Sequence, residues 1–411
     1  MLLTVSKRLE FSASRRLFRA EWPNEKNLAV FGPERSAPYG TGRNYVAFFI
    51  FTGAVNPANG MLVNISEIKE RVEKILHARF DHKFLNEDHP QFREQPPTAE
   101  SIARQLFVEV TPPFADLEAT LVACHLVESP ERSATYFADG TCEGNYWLEF
   151  SAARQTMSPH LSGPENEALF GVAASPHGHG HHYRARLTFR TERGGSAAVF
   201  VPHCDLTECL DSLRTELDHK NLNHEVAGLT NRPKTTESLA QYLQERVAAM
   251  LPIQRVRLHE REDFFAEYWR GGDFFLGMQR PFSAAHRLHA ASLSDPENVS
   301  LYGKCNNPHG HGHNYALEVT VSGPVEERTG MICNLVDLDT FVDREILERF
   351  DHQNLNMLSE FTGEVPTTEN LCASIYEIVQ EGFRHARLEK VRLEETMMNS
   401  FEYAGGAEIR R

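Results

Sequence analysis

The chain has 411 residues, of which 41% are hydrophobic, enough for two or three domains each with a core of its own. A net charge of −15 argues against a broad nucleic-acid surface, and no apolar run approaches the ~18 residues of a membrane span. Seven cysteines without paired spacing fit reduced thiols, and "MLLTVSKRLEFSASRRL" carries no apolar signal core, so a cytoplasmic protein with neither membrane nor nucleic-acid partners is expected.

Four landmarks recur in one order along the chain. "FSA" occurs at Phe11, Phe150 and Phe282; "DH" followed by "LN" occurs at Asp81-His82, Asp218-His219 and Asp351-His352. A "T-x-E" helix start occurs at Thr98 to Glu100, Thr235 to Glu237 and Thr367 to Glu369, and a late strand carries Glu128, Glu260 and Glu395. The interval of about 135 residues is the size of a small domain. Three tandem homologous units follow: 1–138, 139–272 and 273–411. Their joins fall in "YFADGTCEGNY" (136–146) and "YWRGGDFF" (268–275), where glycines interrupt apolar runs.

The third unit reads as strand, strand, helix, helix, strand. "FFLGMQRPFSAAHRL" and "HNYALEVTVSG" form an antiparallel strand pair. Leu338, Phe341, Ile346 and Leu347 fall near helical spacing, and Leu371, Ile375, Ile378 and Val379 repeat at i, i+4, i+7 and i+8, so two amphipathic helices cover one sheet face. "LEKVRLEET" supplies a last strand that ends at Glu395.

"CNNPHGHGHNY" (305–315) sets His311 and His313 on one face of a strand, with glycines leaving the other face open. His286 in "FSAAHRL", on the neighbouring strand, offers a third imidazole. Three histidines and an open fourth position are the arrangement of catalytic zinc. Two other readings stay open: a closed structural site with Cys305 as fourth ligand, and a histidine-rich strand without metal. Cys333, read as part of a strand, and Cys372, on a helical apolar face, are expected to be core thiols.

The repeats sharpen the metal reading. His286, Cys305, His311 and His313 correspond to Arg154, Ala173, His179 and His181 in the second unit, and to Arg15, Arg35, Thr41 and Arg43 in the first. Four positions change together while the framework stays, so one task is kept only in the third unit. Arg154, always protonated, is a poor zinc ligand, and no tight site is expected beside it.

"FSAAHRL", "KCNNPHGHGHNY", "TGMICNLVDL", "RFDHQNLN", "PTTEN" and "VRLEET" together resemble 6-pyruvoyl-tetrahydropterin synthase over nearly all of 275–405. The first two units match only the framework motifs. The resemblance implies an α+β T-fold, an antiparallel four-stranded sheet with two helices on one side, three of which close into a twelve-stranded barrel. One polypeptide would then make the whole pseudo-threefold barrel, and two chains are expected to stack as a homodimer.

Further expectations come from the resemblance alone. Zinc is held by the histidines at 286, 311 and 313, Glu395 anchors the pterin ring, and Thr368 and Glu369 lie nearby. The reaction converts dihydroneopterin triphosphate to 6-pyruvoyl-tetrahydropterin with elimination of triphosphate. Cys305 is the base, activated by an Asp-His pair from a neighbouring subunit, so that here Asp218-His219 or Asp81-His82 would serve it rather than Asp351-His352. His352→Ala should then be tolerated better than one of His82→Ala or His219→Ala. The carboxytetrahydropterin synthase of queuosine biosynthesis is the rival activity; in that branch the cysteine usually lies four positions before the first histidine of His-Gly-His, whereas Cys305 lies six before His311. A non-catalytic pterin-binding scaffold is the other. Residue by residue, a carboxylate such as Glu395 suits the pterin anchor because it accepts two parallel hydrogen bonds, while Thr367 to Glu369 reads equally as a helix N-cap with an acid in the first turn. Arg287 and Lys304 are the candidates for holding triphosphate.

Overall fold

The computed structural model describes residues 1–191, 201–407 and 409. The first unit runs β1 (Leu2–Arg15), α1 (Asn24–Phe31), β2 (Thr41–Ala54), α2 (Ile65–Arg79), α3 (Ala99–Val110), β3 (Thr120–Ser129) and β4 (Arg132–Phe137). The second repeats it as β5 (Cys142–Arg154), α4 (Gly163–Phe170), β6 (His179–Arg190), α5 (His203–Leu217), α6 (Thr236–Ala248), β7 (Arg255–Arg261) and β8 (Phe264–Trp269). The third gives β9 (Phe274–His286), α7 (Asp295–Tyr302), β10 (His311–Gly323), α8 (Leu335–Val342), α9 (Thr368–Gly382), β11 (Arg387–Thr396) and β12 (Asn399–Tyr403).

Each of these strands pairs antiparallel with its neighbours in sequence, and β12 returns to β1 through Thr4 opposite Glu402. The twelve strands thus close into a barrel, and closure removes the free edges that an open sheet would expose. Alternation along the strands sends one set of side chains to the lumen and the other to the helices. Leu371, Ile375 and Val379 of α9 share a core with Val391, Leu393 and Phe401 of β11 and β12. A phenylalanine–tyrosine stack marks the pseudo-threefold: Phe11 on Tyr45, Phe150 on Tyr183 and Phe282 on Tyr315, each with ring centroids 5.0 Å apart.

Several local expectations are corrected. The unit joins take the form of β-hairpins: β4 turns into β5 through Gly140 and β8 into β9 through Gly271 and Gly272, all with positive φ. Each unit also has a short helix between its first two strands and a fourth strand, which residue spacing did not reveal. Helix α8 passes into a π-helical turn, Asp343–Leu347, which accounts for the five-residue step from Phe341 to Ile346. A bulge opposite Thr320 and Val321 similarly explains how Leu388 and Val391, three apart, both face inward. Cys333 lies in the bend before α8 rather than in a strand, though it is buried; Cys372 is buried on α9.

Candidate metal centre

His286 ends β9 and His311 opens β10, and the register sets them directly opposite; His313 lies on the same face two residues on. Nε2 of His286 and Nε2 of His311 are 3.2 Å apart, and one nitrogen from each of the three rings lies within 4.8 Å of the others. Two nitrogens on one tetrahedral zinc at ~2.05 Å would be about 3.3 Å apart. The residues therefore fit such an ion. His286 Nδ1 donates to the Pro366 carbonyl at 2.8 Å, which leaves the Nε2 lone pair facing the cluster. Burial, its largest influence, pushes His286 down to about 4, so the ring is neutral as a ligand must be.

Glu395, on β11, stands beside this cluster. Its Oε1 accepts from the Thr368 hydroxyl at 2.7 Å and lies 3.7 Å from His313 Nε2. Thr367 is the N-cap of α9, accepting from the Asn370 amide, so the "T-x-E" start both caps the helix and holds Glu395. Glu369 is buried and pushed up to about 7 by that burial; it accepts from the Leu62 amide at 3.1 Å.

Leu62 belongs to the first unit. Its loop also gives the Gly60 carbonyl to Thr367 Oγ1 and the Asn59 carbonyl to Tyr302, both at 2.7 Å. Gly60 has φ +72°, and a Cβ there would meet Thr367 and Asn370 at 3.0 Å, so this approach requires glycine. Cys305 sits half-buried in the turn after α7, in a cluster with Ala290, Tyr302, Val365 and Met61. Burial first and Glu395 second push its thiol up, and its sulfur does not join the three-histidine cluster. Arg287 and Lys304 line one cleft with Asn306 and Asn307.

The three Asp-His pairs share one geometry. Each histidine has positive φ (+55° to +58°), its amide donates to the serine of "FSA", and the aspartate accepts that serine's amide. The imidazole Nδ1 meets the aspartate at 2.9–3.0 Å while the ring is 82–83% exposed. Among the described residues, no hydrogen bond links any of these imidazoles to Cys305.

The other two units fill the same place with arginine. The Arg154 guanidinium bonds Glu260, and reaches the Thr236 hydroxyl at 3.3 Å, while His181 Nε2 is 3.0 Å from Glu260 Oε1. His179, His181 and Glu260 form the one other metal-capable cluster among the described residues, with this guanidinium against it. In the first unit Arg15 bonds Glu128 and lies 2.9 Å from Glu34, and Arg132 lies 3.6 Å from Glu128 and 3.3 Å from Glu100.

Sequence reasoning missed the Asn59–Leu62 loop, Glu34, Arg132 and the Pro366 carbonyl. It also passed over Tyr315, whose hydroxyl is pushed up by burial and then by Glu395, although a tyrosine ends all three copies of the motif, at 45, 183 and 315.

A sequence profile described as 6-pyruvoyl tetrahydropterin synthase matches residues 4–139, 148–271 and 276–406. A 6-pyruvoyl tetrahydrobiopterin synthase from Drosophila melanogaster is 44% identical over 133 residues, 32% of this chain and 79% of the relative. The Homo sapiens protein of the same name is 46% identical over 125 residues, 30% of this chain and 86% of the relative. The solved Caenorhabditis elegans 6-pyruvoyl tetrahydropterin synthase is 38% identical with a TM-score of 0.32, covering 34% of this chain and all of that one.

Proposed function

Because the chain belongs to the 6-pyruvoyl tetrahydropterin synthase family, we propose that unit 273–411 is a zinc-dependent lyase of that type, acting on dihydroneopterin triphosphate with loss of triphosphate. The observation that carries this reading is the convergence of His286, His311 and His313, with Glu395 beside them and Cys305 outside the ligand set. The ion would supply Lewis acidity to oxygens of the substrate side chain.

The chain's own residues divide the remaining work. Glu395, oriented by Thr368, accepts two hydrogen bonds from the amino and ring N–H groups of a pterin. Glu369, its carboxyl near 7, is partly protonated at neutral pH and offers a donor where Glu395 offers only acceptors. Arg287 and Lys304 hold the triphosphate in their shared cleft. Cys305 takes a proton from the side chain, and its raised thiol pKa calls for a partner that stabilises thiolate. That partner is Asp81-His82 or Asp218-His219, from another unit, rather than Asp351-His352, with two chains stacked as a dimer.

Incubating the zinc-loaded protein with dihydroneopterin triphosphate and weighing the pterin product tests the reading. A 6-pyruvoyl product with free triphosphate supports it. A 6-carboxy product reassigns the activity to the queuosine branch, and unchanged substrate leaves a pterin-binding scaffold.

A further inference from the structure

All twelve strands line a single cavity of about 990 Å³, the barrel lumen. Its walls are the strand faces opposite those that bear the histidines, since Arg186 and His181, like Glu318 and His313, are an odd number of residues apart. Strand register arranges equivalent triplets around one level of this lumen. They are Phe48, His125 and Thr135 in the first unit, Arg186, Arg257 and Glu267 in the second, and Glu318, Arg392 and Glu402 in the third.

The third triplet alternates acid, base, acid, and every charge has an opposite neighbour. The second does not. Arg186 stands directly across from Arg257, an arrangement that is destabilising for like charges. Arg255 lies two residues from Arg257 on the same face, and within this unit three guanidinia divide two carboxylates, Glu318 of the third unit being the next acid that acts on Arg257. Glu267 Oε2 is 2.6 Å from Arg257 and 3.5 Å from Arg186, while Glu143 Oε2 is 2.6 Å from Arg255. Glu143 is also shared with Arg190 at 3.6 Å.

The Nε atoms of Arg186 and Arg255 are buried without a hydrogen-bond partner, and Arg255 is only 7% exposed. Burial, then Arg257, push Arg186 down to about 9. His125 adds no negative charge: burial, then Arg186 and Arg255, push it down to about 3. The second unit's face of the cavity, with more guanidinia than carboxylates and with unmet donors, is matched by an anion whose oxygens can accept several N–H groups at once.

We propose that the lumen is a second binding site, distinct from the metal centre, in which Arg186, Arg255 and Arg257 hold a phosphate-type oxyanion. The first unit faces the same cavity with Phe48, Ile50 and Phe137, an apolar wall suited to an organic body attached to the phosphate. Free phosphate and an organic monophosphate share this chemistry, and the experiment separates them.

Full-length, zinc-loaded protein is titrated calorimetrically with inorganic phosphate and with phenyl phosphate. One saturable site per chain is expected. Tighter binding of phenyl phosphate identifies the organic form, and equal affinity the free ion. Arg186→Phe and Arg257→His, which copy the first unit's residues at the same level, should each weaken binding at least tenfold. Without phosphate, Arg186→Phe should melt no lower than the wild type, and phosphate should raise the melting temperature of the wild type only. As a readout on the unmutated chain, phosphate should suppress phenylglyoxal labelling of Arg186 and Arg257, mapped by peptide mass. No saturable binding, affinity unchanged in both variants, or labelling that phosphate leaves unaltered overturns the proposal.

Discussion

The second and third units lay the same two strands against the same helix start, and they keep the same threonine-to-glutamate hydrogen bond, Thr236 to Glu260 and Thr368 to Glu395. They also keep the same buried acid, Glu237 and Glu369, each pushed up to about 7 by burial and each accepting an amide from the unit that follows it in the ring. What separates their metal-facing positions is one residue at the end of the first strand, Arg154 for His286. Histidine there leaves a gap lined by three imidazoles; arginine fills it with a charge of its own. On the proposed function both arrangements would put a cation beside a strand glutamate, one built into the chain and one recruited from solution, and only the recruited one would leave a coordination position for chemistry.

The comparison can be broken in both directions. His286→Arg should make the third unit resemble the second: bound metal falls from one ion per chain to none, and turnover of the pterin triphosphate drops to background, read by elemental analysis and product mass. Arg154→His should do the reverse, adding a second ion through His179 and His181, so that metal content rises to two per chain while the third unit's turnover is unchanged. Smaller effects are expected on stability. Glu260→Ala strands the buried Arg154 guanidinium and should cost about 3 kcal/mol in a denaturant titration.

An effect of comparable size is one of pH. Glu369 binds its proton more tightly folded than unfolded, because burial raises it from the ordinary 4.5 to about 7. Its stabilising contribution is therefore complete below pH 4.5 and is lost as pH rises through 7. Glu369→Gln removes that loss. The variant should gain on the wild type by on the order of 3 kcal/mol between pH 4.5 and 8, and a gap that does not widen with pH would contradict the assigned cause.

Much of this contrast was legible in the chain. His286, His311 and His313 could be grouped because strands alternate with a period of two and because the repeats supply internal controls at Arg154 and Arg15. The barrel required the resemblance as well, since the fourth strand, Asn399–Tyr403, is five residues long and signals little on its own. The π-helical turn after α8 hid behind nearly regular spacing. Least legible was the first unit's contribution to the third unit's site. Leu62 and Glu369 are 307 residues apart, and nothing local in "NPANGML" announces a contact made only when the ring closes. The Asp-His pairs show the opposite: an easily seen motif whose repeated geometry, an aspartate gripping a strand amide beside a left-handed histidine, serves the fold in every unit.

A zinc-edge anomalous map of crystals of the wild-type protein tests the account most directly. One peak per chain is predicted, among His286, His311 and His313, with the sulfur of Cys305 outside bonding distance. A peak beside Arg154, no peak at all, or a sulfur bound to the ion would contradict it.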